Sequence, residues 1–183
     1  MLIKNTTRTF GLVAILFHWL MAWVIIGLFA LGLWMVDLTY YDSWYRTAPD
    51  LHKSIGVLLF LTLLLRVIWR AINPTPVPLT TYSAFEKIAA HLIHGVLYLC
   101  MLLVIISGYF ISTADGRGIE VFDWFTVPAW VTGIENQEDI AGDIHYYLAC
   151  SLIGLASGHG LAALKHHFID KDETLKRMLN PNE

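Results

Sequence analysis

The chain has 183 residues, 56% of them hydrophobic and 15% charged, with a net charge of −3 and a mean hydropathy of +0.57. Soluble domains carry about 25% charged residues, so the composition excludes an ordinary water-soluble globule. The small net charge argues against a nucleic-acid partner.

Four apolar segments are long enough to cross a bilayer, at about 10–36, 51–69, 88–114 and 144–164. Backbone polar groups have no water to bond in lipid, so each is expected to be helical. The fold class is therefore all-α, an integral membrane four-helix bundle forming one domain over 1–183. The first segment holds no charged residue. It is longer than the apolar core of a signal peptide, about 7–15 residues, and is expected to remain as a spanning helix.

Between the first two segments lies a short aromatic link with Tyr40, Tyr41, Trp44 and Tyr45, suited to headgroup depth. The second connection contains Asn73-Pro74-Thr75-Pro76-Val77-Pro78, an extended turn that stops the helix before it. The third, about 115–143, is long and acidic, with Arg117 alone facing seven carboxylates. Within it, residues 121–131 read as an interfacial stretch with Trp124 and Trp130 at headgroup depth. A polar tail, 165–183, follows the fourth segment.

Nine of the 12 Lys and Arg residues flank the N-terminus, the second connection and the tail; only Arg46, Lys53 and Arg117 lie on the other side. The positive-inside rule then puts both termini in the cytoplasm and the acidic loop in the periplasm. Cys100 and Cys150 lie inside apolar segments, where they read as small packed residues, and no CxxC motif occurs.

The fourth segment reads IHYYLACSLIGLASGHGLAAL, without Lys, Arg, Asp or Glu. His145 and His159 are 14 residues apart in it, or roughly 21 Å along a helix and within about 40° of the same face. One helix thus offers an imidazole toward each membrane surface. With the expected topology, His52 matches His145 in depth on the periplasmic side and His18 matches His159 on the cytoplasmic side. His91 and His94 are further candidates at the cytoplasmic depth.

Polar groups in a bilayer are costly and need a reason. Two axial histidines on one haem iron supply it, since each neutral ring gives a lone pair to iron and donates its other N–H elsewhere. A haem closed on both faces passes electrons, and two haems at different depths make an electron path. His91 or His94 compete with His18 for the inner iron, or bond a haem propionate or a quinone oxygen. Arg46 and Lys53 are candidates for the outer propionates, Arg66 and Arg70 for the inner ones. The alternative for these cations is anchoring and snorkelling at the interface. Gly158 and Gly160 beside His159 leave room for a flat macrocycle or serve ordinary helix packing. His166 and His167 read as surface residues.

These residues resemble the bacterial cytochrome b561 family over essentially the whole chain. The resemblance rests on FHWL around His18, WYRTAPDLHKSIG around His52, the pair His145 and His159, SGYFISTADG after the third segment and LKHHFIDKDETLKRML in the tail. It implies a four-helix bundle in the bacterial inner membrane with two b haems per chain and exchange with quinone. It assigns His18 and His159 to the cytoplasmic haem iron and His52 and His145 to the periplasmic one. One branch of that family oxidises superoxide on the periplasmic side; the acidic outer loop here would repel that anion. The expected function is electron transfer between a periplasmic donor and the quinone pool. The alternative is a cytochrome b anchor that passes electrons to or from a periplasmic redox partner. A histidine-lined transporter or channel, working without haem, is the reading outside redox chemistry.

Overall fold

The computed structural model describes residues 2–181; the expected domain and tail extend to Met1, Asn182 and Glu183, which lie outside the described residues. Four long helices dominate: α1 (Leu12–Met35), α2 (Thr47–Ile72), α3 (Ala84–Ser112) and α4 (Gln137–Lys165). Each is long and apolar enough to span a bilayer. Large apolar side chains such as Leu16, Leu20, Trp23, Leu65, Ile68, Leu92 and Leu99 are exposed along them, as a lipid-facing surface requires.

Local chemistry sets the helix ends. At the start of α3 the Ser83 N–H donates to Glu86 Oε2 at 2.8 Å while the Glu86 N–H donates to Ser83 Oγ at 3.2 Å, a reciprocal capping box. At the end of α2 Asn73 Nδ2 donates to the Trp69 carbonyl, and Pro74 stops further helix. The fourth helix begins seven residues before the apolar run, at Gln137. Glu138 and Asp139 sit in its first turn, where the helix dipole favours carboxylates. The helix therefore takes in polar residues that hydropathy alone assigns to the loop.

The acidic connection also contains a small hairpin, β1 (Ile119–Val121) paired antiparallel with β2 (Phe125–Val127). Phe122 and Asp123 both have positive φ, and the Trp124 N–H donates to the Val121 carbonyl, which is the tight turn whose twist suits paired strands. The stretch read as interfacial thus begins in this hairpin; Trp124 and Trp130 are exposed. Ser54 Oγ donates to the Glu120 carbonyl and accepts from the Phe122 N–H, so the hairpin is tied to α2 two residues beyond His52.

The chain divides into two compact units, and every helix contributes one part to each. Unit 1 comprises residues up to Ala22, Thr62–Tyr98 and Gly154 onward; unit 2 comprises Trp23–Leu61 and Leu99–Ile153. Unit 1 thus holds both chain ends and the α2–α3 connection. Unit 2 holds the other two connections.

Candidate functional site

In unit 2, α2 carries His52 and α4 carries His145, with ring centres 6.1 Å apart. His145 Nδ1 is 2.9 Å from the Val104 carbonyl and 3.2 Å from Ser107 Oγ. A carbonyl can only accept, so Nδ1 carries the hydrogen and Nε2 keeps a free lone pair. The Ser107 hydroxyl donates to the same Val104 carbonyl at 2.9 Å. His52 Nδ1 is buried with no hydrogen-bond partner among the described residues. Two glycines make room for these rings. A Cβ at Gly108 would stand 3.1 Å from His145 Cε1, and one at Gly32 would stand 3.3 Å from His52 Cε1.

In unit 1, α1 carries His18 and α4 carries His159, with ring centres 6.3 Å apart. His94, from α3, lies on the other flank, with its ring centre 5.1 Å from that of His159. Arg66 reaches in from α2. One guanidinium nitrogen is 3.2 Å from His18 Nδ1, another is 3.6 Å from Met21 Sδ, and the group lies 5.3 Å from the Tyr98 ring centre. Arg70 lies over the same ring at 5.8 Å. Among the described residues, neither arginine is in ion-pair contact with a carboxylate.

A metal binds imidazole nitrogen at about 2 Å and the ring centre lies roughly 1.2 Å behind it, so two rings on opposite sides of one metal have centres about 6.4 Å apart. The separations of 6.1 and 6.3 Å fit that arrangement. The His94–His159 separation of 5.1 Å is too short for it. The His145 tautomer fits as well. His18 differs: guanidinium only donates, so Nδ1 accepts and the ring hydrogen sits on Nε2. Ligation through that nitrogen requires Arg66 to let go.

The remaining candidates fall into place unevenly. Lys53 pairs with Asp50 at 2.8 Å within α2, and Arg46 is exposed. His91 is exposed, unlike His94. His166 is not a surface residue: its side chain is 14% exposed and its Nδ1 contacts Asp170 and Asp172. His167 is half-buried, with Nδ1 enclosed and unpartnered among the described residues. The chain reversal after α4 brings Asp172 onto His166, which hydropathy does not reveal. Cys100 and Cys150 are free thiols. Gly32, Ser107 and Tyr98 escaped the sequence reading because only through-space proximity to a histidine or arginine marks them.

The family model for prokaryotic cytochrome b561 matches residues 9–181. Cytochrome b561 homolog 2 of Escherichia coli (strain K12) is 55% identical over 175 residues, covering 96% of this chain and 93% of that protein. Cytochrome b561 homolog 1 of the same organism is 28% identical over 75% of this chain and 78% of its own length. A Yersinia pestis protein named probable superoxide oxidase CybB is 27% identical over 76% of this chain and 77% of its own length.

Proposed function

We infer what the chain does from its kinship: it belongs to the prokaryotic cytochrome b561 family. It is a multi-pass protein of the bacterial inner membrane, a cytochrome b of electron transport. Within that class our reading is a diheme cytochrome that moves electrons between a periplasmic donor and the quinone pool. His18 and His159 would hold one haem, and His52 and His145 the other. The observation that carries this reading is the pair of ring separations, each right for one iron between two imidazoles. When bound, each haem would supply one-electron transfer, held by its two histidines.

The chain's own residues do the rest. Val104 and Ser107 fix the tautomer and direction of His145. Arg66 is a cation in a spanning helix with no carboxylate of its own, so it is suited to leave His18 for an anionic haem propionate. Arg70 shares the Tyr98 face with it. His94, beside the inner pair, is placed to bond a propionate or a quinone oxygen, and exposed His91 could serve either at the same end. The excess of Lys and Arg in unit 1 supports a cytoplasmic side for it.

Quinol tests this reading. Anaerobic addition of a short-chain ubiquinol or menaquinol to the oxidised purified protein should raise the reduced haem band. A band that neither quinol raises, while dithionite does, would remove quinone from the reading.

A second reading, an anchor for a periplasmic redox partner, is favoured by the charge arrangement in unit 2. Glu120, Asp123, Glu135, Glu138, Asp139 and Asp143 are all exposed. Two of the three cations of that unit are already matched, Lys53 to Asp50 and Arg117 to Asp115. This pattern suits a basic protein better than an anion such as superoxide. The relative named for superoxide oxidation is 27% identical to this chain.

A further inference from the structure

At the end of α4 the helix widens into a π-helical turn, His166–Asp170, and Lys171 (φ 55°) then reverses the chain. The reversal brings two carboxylates to one ring nitrogen: His166 Nδ1 is 3.0 Å from Asp170 Oδ2 and 2.7 Å from Asp172 Oδ2. Glu86, from the first turn of α3, completes the group. Its carboxylate, that of Asp170 and the His166 ring each offer a donor atom within 4.8 Å of the other two. All four residues belong to unit 1.

A cation already lies among them. Lys165 Nζ is 2.7 Å from Asp170 Oδ2 and 3.8 Å from Glu86 Oε1. Asp170 and Glu86 share this one ammonium, while Asp172 meets the His166 ring instead. The Asp172 and His166 side chains are only 8% and 14% exposed, and charge so enclosed is costly without a counter-ion.

We propose that Glu86, His166, Asp170 and Asp172 form a binding site for a divalent transition-metal ion of the zinc class. One imidazole nitrogen among carboxylate oxygens suits zinc and its first-row neighbours rather than magnesium or calcium, which prefer oxygen alone. The ion takes the place of the ring hydrogen that now lies between His166 and the two aspartates. Donor atoms around a tetrahedral zinc stand about 3.3 Å apart, so the aspartates open slightly and Glu86 closes in. Lys165, half exposed on a flexible stem, withdraws.

A second layer holds the ligands. Thr174 donates to Asp172 Oδ1 from its hydroxyl at 2.5 Å and from its N–H at 2.8 Å, and the Tyr82 hydroxyl meets Thr174 Oγ1 at 2.5 Å. Such outer partners orient metal-binding carboxylates. The ion would clasp the start of α3, the end of α4 and the tail, whose Met178 carbonyl accepts from Trp19 Nε1 beside His18.

The test uses the full-length purified protein carrying an affinity tag without histidines, stripped with EDTA. Zn²⁺ is titrated by calorimetry and Co²⁺ by visible absorption, with circular dichroism confirming the fold of each variant. We expect one saturable Zn²⁺ per chain, bound at least 10-fold more weakly by His166→Gln and by Asp170→Asn and more tightly by Lys165→Ala. Co²⁺ should give d–d bands that His166→Gln abolishes. Absence of saturable Zn²⁺ binding in the wild-type protein would overturn the proposal and leave Lys165 as the cation of the cluster. Affinity unchanged in both folded ligand variants would overturn it too.

Discussion

His145 Nδ1 lies 2.9 Å from the carbonyl oxygen of Val104, and this single bond decides which ring nitrogen of His145 is free. Ser107 braces the same carbonyl. Removing an outer partner of a metal-bound histidine typically costs about 10–100-fold in affinity. Ser107→Ala leaves the Val104 bond in place, so the low end is expected. Transfer of haem to apomyoglobin should quicken by about 10-fold for one haem and stay unchanged for the other. Equal loss from both, or from neither, would separate Ser107 from the outer site.

Gly108 offers a steric test of the same site. A Cβ there would stand 3.1 Å from His145 Cε1, closer than ordinary carbon contacts of about 3.5–4.0 Å. Gly108→Val should lower haem content to one per chain, whereas Gly95→Val, where a Cβ meets nothing within 4 Å, should keep two. Two haems in the Gly108 variant would show that His145 has slack that the close approach does not suggest.

Arg66 should tune the inner haem. A cation near the iron stabilises the reduced form, which carries one negative charge more, so Arg66→Gln lowers the inner midpoint potential. At an effective dielectric of about 20 and a separation of roughly 8 Å the interaction is about 2 kcal/mol, equivalent to roughly 90 mV for one electron. Potentiometric titration at visible wavelengths reads this. An inner potential that rises or does not move would remove Arg66 from contact with the haem.

The depth-matched histidine pairs were legible because 14 residues is close to a whole number of helical turns, so α4 itself sets both His145 and His159 on one face. The partners of His166 were not, because a π-helical turn and a reversal at Lys171 bring Asp170 and Asp172 to its ring. Hydrophobic periodicity carries no trace of that. The start of α4 was missed for a related reason: Gln137, Glu138, Asp139 and Asp143 are polar, yet their backbone continues the helix, and Gln137 Nε2 donates to the Phe110 carbonyl. Of the three arginines and lysines grouped on the outer side by sequence, two turn out to be matched by aspartates a few residues away. Local pairs of that kind decide whether an outer cation is free, and a charge count does not register them.

The acidic surface of unit 2 predicts the sign of a salt effect. Electron exchange with a basic c-type cytochrome, used as a probe, should slow as ionic strength rises from 20 to 200 mM, roughly the range over which screening shortens from about 20 Å to under 10 Å. Exchange with ferricyanide, an anion, should quicken. Glu120→Gln combined with Asp123→Asn and Glu138→Gln should shrink both effects. The opposite sign for the two probes would point to a basic entry path and restore an anionic donor.

The Trp19 bond should help to hold the tail. Trp19→Phe deletes the donor to the Met178 carbonyl, which is 2.7 Å away. A net loss of about 1 kcal/mol shifts the open fraction roughly 5-fold. Trypsin cleavage at Lys171, Lys176 and Arg177 should quicken by that factor. Unchanged cleavage would mean that other contacts, the Tyr82–Thr174 hydrogen bond and the donation from Arg177 to the Val77 carbonyl among them, retain the segment.

Haem per chain, by the pyridine haemochromogen assay with a dithionite-reduced minus oxidised spectrum, tests the paired-histidine reading most directly. It should be made on the wild type and on His18→Ala, His52→Ala, His91→Ala and His94→Ala. Two low-spin b haems in the wild type, one in His18→Ala and in His52→Ala, and two in His91→Ala and His94→Ala are the expected values. A wild type without haem in folded, fully expressed protein, or inner haem lost in His94→Ala and kept in His18→Ala, would contradict the pairing on which the functional reading rests.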